Sequence, residues 1–121
     1  MPTSTETRHV IAVQDLAASA AHYRDVLGFD LHDFAHGWQI FKLGAFVIQA
    51  GECRDEVPAA DTGDHSYFAY VEVDDIDDYF ARVQAAGAQL RKTLRDESWG
   101  MREFAVETID GHRIMFGMEI D

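Results

Sequence analysis

Apolar and polar positions along this chain follow two rhythms, a strand-like alternation and a helical spacing, and the switch between them occurs twice. His9-Val-Ile-Ala-Val-Gln-Asp15-Leu is an apolar run of strand character, closed by an aspartate able to cap a helix. Leu16, Ala20, Tyr23 and Leu27 then recur at helical spacing, and Gly28 stands where a left-handed residue ends a helix. Farther on, Tyr67-Phe-Ala-Tyr-Val-Glu-Val73 reads as another strand. Asp74 and Asp75 are in place to cap a second helix with the stripe Ile76, Tyr79, Phe80 and Val83, and Gly87 closes it. Three strand-like stretches come after each helix. They are Phe29–Phe34, Trp38–Leu43 and Ala45–Ala50 in the first half, with Gly44 in a tight turn. In the second they are Ala88–Leu94, Met101–Thr108 and Arg113–Glu119, with Asp110-Gly111 as a hairpin signal.

The expected architecture is therefore α+β: two tandem βαβββ units forming one curved mixed sheet with helices on one side. In a single domain spanning 1–121, the first unit covers about 8–50, a loop about 51–65 and the second unit about 66–119. Composition fits one well-filled core, since 47% of the 121 residues are hydrophobic. Charge narrows the partners. Ten Lys+Arg against 22 Asp+Glu give a formal net charge of -12, which repels a phosphate backbone and suits a cationic small molecule. The apolar runs are too short for a transmembrane helix, and the polar stretch Met1 to Arg8 is unlike a signal peptide. One cysteine, Cys53, excludes an internal disulfide framework and a multi-cysteine zinc site. A cytoplasmic location is expected.

Two groups of motifs point to a family. Val13-Gln-Asp-Leu16, Ala20-Ala-His-Tyr23 and Val26-Leu-Gly-Phe29 resemble the opening signature of the vicinal oxygen chelate superfamily. That superfamily includes glyoxalase I, the bleomycin-resistance proteins, fosfomycin-resistance transferases and extradiol dioxygenases. Trp99-Gly-Met-Arg-Glu-Phe104 and Asp110-Gly-His-Arg-Ile-Met-Phe116 resemble its closing signature, and the likeness spans about residues 8–119. The resemblance implies the tandem fold and commonly a homodimer, but many chemistries share this fold. Its metal-dependent members take ligands from inward positions on the first, fourth, fifth and eighth strands. Carried over, those positions are Arg8, Gln49, Phe68 and Met115. Only Gln49 is a plausible ligand: arginine is permanently cationic and phenylalanine has no lone pair. No metal and no cofactor are expected.

Other chemistry is sparse. Of the histidines, His9 and His65 have the wrong strand parity for that site, and His22 lies within the first helix. His32 and His36 flank a turn, and His112 belongs to the closing hairpin. Cys53 lies between Glu52 and Arg54, where the arginine can favour a thiolate. The run Glu72, Asp74, Asp75, Asp77, Asp78 is explained mostly by capping and first-turn charge, worth roughly 0.3–1 kcal/mol each.

Alternation sketches the concave face. Arg8, Val10 and Ala12 come from the first strand, Ala45, Val47 and Gln49 from the fourth, and Phe68, Tyr70 and Glu72 from the fifth. Arg113, Met115 and Gly117 come from the eighth, with Glu103, Ala105 and Glu107 from the seventh. Trp38, Ile40 and Lys42 alternate on the third, and Trp99 begins the closing signature. The ligand-binding candidates are Arg8, Trp38, Gln49, Phe68, Tyr70, Glu72, Trp99, Glu103, Arg113 and Met115, an apolar and aromatic set with a few charges. Glu72 and Glu103 are also the weak candidates for acid–base catalysis.

The leading expectation is a metal-independent protein that sequesters a cationic or aromatic small molecule, similar to the bleomycin-resistance branch. An acid–base or metal-dependent lyase, isomerase or dioxygenase of the same fold is the alternative. A structural module whose concave face merely packs is the third. Neither nucleic acid nor membrane is an expected partner.

Overall fold

The computed structural model describes Met1 and residues 3–120, without the side chains of Asp64 and His65, so the reading of the His65 side chain lies outside the described residues. The first unit runs β1 (His9–Val13), α1 (Leu16–Asp25), β2 (Asp30–Asp33), β3 (Trp38–Leu43) and β4 (Phe46–Glu52). A 3-10 segment, Ala59–Ser66, crosses to the second unit. That unit runs β5 (Tyr67–Glu72), α2 (Ile76–Ala85), β6 (Gln89–Asp96), β7 (Met101–Glu107) and β8 (Arg113–Glu119). The βαβββ order thus occurs twice, as the alternation requires.

The strands hydrogen-bond as two four-stranded sheets, ordered β1-β4-β3-β2 and β5-β8-β7-β6. In each, the strand before the helix runs parallel to the last strand, and the remaining pairs are antiparallel hairpins. The helical crossover makes the parallel pairing possible, since parallel strands need a long return connection. β1 and β5 are therefore edge strands, and the units join through side chains.

The first helix starts as expected: the Asp15 side chain accepts from the Ala18 amide at 3.0 Å. A second orphan amide, that of Leu16, donates to Glu52 at 2.9 Å. The second helix differs. Asp75 occupies the N-cap in the left-handed region (φ 45°, ψ 52°) and makes no capping hydrogen bond. Side-chain capping needs extended backbone at that residue, so the expected Asp74/Asp75 cap does not form. Gly28 (φ 79°) and Gly87 (φ 92°) both end their helices left-handed, as expected.

One core serves both units. Tyr23 stacks on Phe41 with ring centroids 4.5 Å apart, and Phe104 on Phe116 at 5.2 Å. Phe68 bridges the units, meeting His9 and Phe46 on one side and His112 on the other. The Tyr79 hydroxyl donates to the Leu27 carbonyl at 2.7 Å, tying α2 to the end of α1.

Candidate functional site

The face of each sheet turned away from the helices is where the predicted side chains gather. On the second unit it is organised around Glu103, a β7 residue only 3% exposed. Its Oε2 accepts from the Tyr70 hydroxyl of β5 at 2.7 Å and from the Trp99 indole Nε1 at 3.1 Å; its Oε1 accepts from the Lys92 ammonium of β6 at 2.7 Å. Lys92 also pairs with Glu97 at 3.2 Å and lies 5.5 Å from the Trp99 ring centroid. Burial works to raise the Glu103 carboxyl, but Lys92, Tyr70 and Trp99 outweigh it and hold the group below the usual carboxylate range. Tyr70 shifts the other way. Burial of its hydroxyl, the bond to Glu103 and the charges of Glu103 and Glu72 push its ionisation well above the ordinary tyrosine range, so it remains a donor.

Tyr70 reaches Glu103 by crossing β8 at Gly117, which faces Glu72 on one side and Glu103 on the other. A Cβ at Gly117 would stand 2.0 Å from the Tyr70 hydroxyl. Only glycine leaves this path open. The rings of Tyr70 and Trp99 are nevertheless presented outward, at 49% and 62% exposure. Met115 is the cross-strand neighbour of Tyr70. Arg113 pairs with Glu107 directly opposite it, at 3.4 Å, as expected, and lies over the Tyr67 ring.

Phe68 departs from the expected face. A bulge between Tyr67 and Ala69 resets the alternation, so Phe68 packs on the core while Tyr67 takes the outward place. Bulges in β6 act likewise on Lys92: simple alternation puts it with Leu90 and Leu94, yet it pairs with Ala105 and reaches Glu103.

On the first unit, Arg8 donates to Gln49 Oε1 at 3.3 Å and to Glu6 at 3.1 Å. Trp38 lies flat on Gly51, whose Cβ would meet the indole at 2.8 Å. The carried-over metal positions do not fit a metal. Arg8 is a cation that occupies the Gln49 oxygen, Phe68 faces the core, and Met115 offers a thioether. Among the described residues, no three His, Cys, Asp or Glu side chains converge on a metal-binding geometry.

A cavity of 1090 Å³ lies where the units meet, walled by the end of α1, the β3–β4 turn, the end of β5 and a face of α2. Asp25, Glu72, Asp74, Asp75 and Asp78 line it, against Arg82, which is itself paired with Asp78 at 2.9 Å. Of the predicted binding residues, Tyr70 and Glu72 reach this cavity. Arg8 instead lines a 160 Å³ hollow with Glu6, His32 and Lys42.

Arg54 pairs with Glu52 at 3.3 Å, and Cys53 is a free, partly buried cysteine. His22 and His112 are drawn below the ordinary histidine range by burial, which the Asp110 charge opposes. Alternation places Gly117 on the concave face but does not show its role as a gap, and it picks out neither Lys92 nor Tyr67 as a site residue. Gly117 alone had a usable signal, a glycine inside a strand pattern, which marks close approach of another group.

A family model described as the Glyoxalase/Bleomycin resistance protein/Dioxygenase superfamily matches residues 7–116. Bleomycin resistance proteins of Geobacillus stearothermophilus and Staphylococcus aureus are 29% identical over 124 residues, covering 91% of this chain and 93% of theirs. The crystal structure of TioX from Micromonospora sp. ML1 superimposes with a TM-score of 0.79 at 23% identity, over 97% of this chain and 100% of that one. A glyoxalase/bleomycin resistance protein/dioxygenase from Alicyclobacillus acidocaldarius gives 0.80 at 12% identity, over 96% and 92%. These two likenesses are of fold.

Proposed function

The chain belongs to the glyoxalase/bleomycin resistance protein/dioxygenase superfamily, and from that premise we propose that it captures a small cationic or aromatic molecule without a metal. The carrying observation is the inter-unit cavity, lined by carboxylates and bounded by Glu72 and by Tyr70, whose ring is presented outward. Carboxylates draw a cation in, and aromatic faces stack on a planar group or meet a positive one. Glu72 is the exposed carboxylate that meets the ligand's charge, whereas the oxygens of Glu103 are engaged by protein donors. The mechanism is stoichiometric capture. Bleomycin and related cationic aromatics are the class to try, given the name its relatives carry.

Calorimetric titration with that class is expected to show saturable, stoichiometric heat on protein purified without chelator, with no change on adding nickel, zinc, manganese or iron. Flat titrations would remove the ligand class. Metal-stimulated turnover would favour the lyase, isomerase or dioxygenase alternative. The protein acts as a homodimer, which would cover the exposed Val10 and Trp38; a monomer by light scattering at micromolar concentration contradicts that. Among the described residues no helix is long and apolar enough to cross a membrane, and the free Cys53 suits a reducing, cytoplasmic setting.

A further inference from the structure

We propose that Glu103 is a positioning residue that locks the rings of Tyr70 and Trp99 into one preformed aromatic wall, and that it neither meets the ligand nor exchanges protons with it. One carboxylate takes donors from three places in the chain: β5 through Tyr70, β6 through Lys92, and the loop after β6 through Trp99. Both aromatic donors converge on the same oxygen, Oε2, so the two rings are oriented relative to each other by a shared acceptor. Charge-assisted hydrogen bonds of this kind are shorter and stronger than neutral ones. The wall is closed from below, because the Tyr70 hydroxyl fills the place of the missing Gly117 side chain.

The geometry separates this role from acid–base work. Lys92 neutralises the carboxylate at 2.7 Å, and with 3% of Glu103 exposed a ligand meets the ring surfaces first. An aromatic wall held by bonds already made loses little freedom on binding, which is how preorganisation raises affinity. The consequence for affinity rests on the binding function proposed above. The lock itself does not.

Nitrogen-15 correlation spectra of the whole protein carry an indole Nε1–H signal for each of Trp38 and Trp99, and Trp99→Phe assigns the second. That signal is expected downfield and protected from exchange. Glu103→Gln should move it upfield and speed its exchange by about tenfold, the loss expected for a bond to a charged acceptor. Lys92 keeps Glu97 as a partner in this variant, which favours folding. In the unsubstituted protein the Trp99 signal should titrate with acid below the usual carboxylate range, the charged or titratable groups around the carboxyl being Tyr70 and Glu72 on β5, Lys92 and Arg95 on β6, and Glu97, whose own step is identified by Glu97→Gln. Tyr70→Phe should move that midpoint upward, and this pair of measurements serves if Glu103→Gln does not fold. A Trp99 signal indifferent to Glu103→Gln, or a midpoint unmoved by Tyr70→Phe, overturns the lock.

Proflavine, a planar aromatic cation, tests the consequence: Glu103→Gln should weaken its binding about tenfold at unchanged stoichiometry. Equal affinity in both proteins overturns the positioning role. No binding of proflavine to the unsubstituted protein counts against the proposed ligand class, while the spectra still decide the lock.

Discussion

Gly51 and Gly117 show how much one absent side chain arranges. They occupy matching places in the two units, Gly51 opposite Ala12 and Gly117 opposite Glu72. Each lets an aromatic side chain lie against the backbone, Trp38 in one unit and Tyr70 in the other. Gly117→Ala places a methyl group 2.0 Å from the Tyr70 hydroxyl, a contact that no bond adjustment relieves. Tyr70 must leave Glu103. The expected cost is about 1–3 kcal/mol in urea unfolding, the usual penalty of overpacking. Tyr70→Phe combined with Gly117→Ala should cost less than the sum of the two, because the displaced hydroxyl is gone. Strict additivity would mean that the slot does not serve Tyr70. At this scale the sequence showed that Glu103 faces outward from the helices, since parity on β7 is unbroken. Its donors were hidden, because two of them depend on bulges and on a glycine gap.

Between residue and fold, the elements carry the breaks in regularity. β5 and β6 both contain bulges, and each moves one side chain to the face that alternation denies it: Phe68 into the core and Lys92 out of it. Alternation assumes one residue per pleat, and an inserted residue reverses everything beyond it. The seam between α1 and the β7–β8 turn is irregular in another way. The Ser19 hydroxyl, His22 Nε2, Asp110 Oδ2 and His112 Nδ1 are buried there without hydrogen-bond partners among the described residues, while the other Asp110 oxygen accepts from the Gln14 backbone amide at 3.3 Å. Burial lowers both histidines, against the opposing pull of Asp110. The folded state therefore binds fewer protons than the unfolded one below about pH 6.5, and stability falls as pH drops through that value toward the depressed folded ones. Urea midpoints should decline between about pH 7 and pH 5, above the range of the depressed carboxylates, and His22→Gln should flatten the decline. A midpoint constant over that interval would show that the histidines titrate alike in both states.

For the molecule as a whole, the net charge of -12 and the carboxylate-lined seam act together. A cationic ligand should bind more weakly as salt rises from about 0.05 to 0.5 M, since screening shortens the reach of these charges to a few ångströms. Affinity independent of salt would leave the aromatic wall as the whole basis of recognition.

The tandem order, the strand and helix assignments, the Asp15 cap and the glycines that end both helices were all legible in the sequence. Each depends on periodicity or on backbone preference within a few residues, and such information is local. Tertiary structure decided the division into two hydrogen-bonded sheets, the cavity where the units meet and the three donors gathered on Glu103. These arise where distant segments compete for the same space: a bulge, an edge strand or a bare glycine redirects side chains, and no spacing along the chain records which neighbour will be there to receive them.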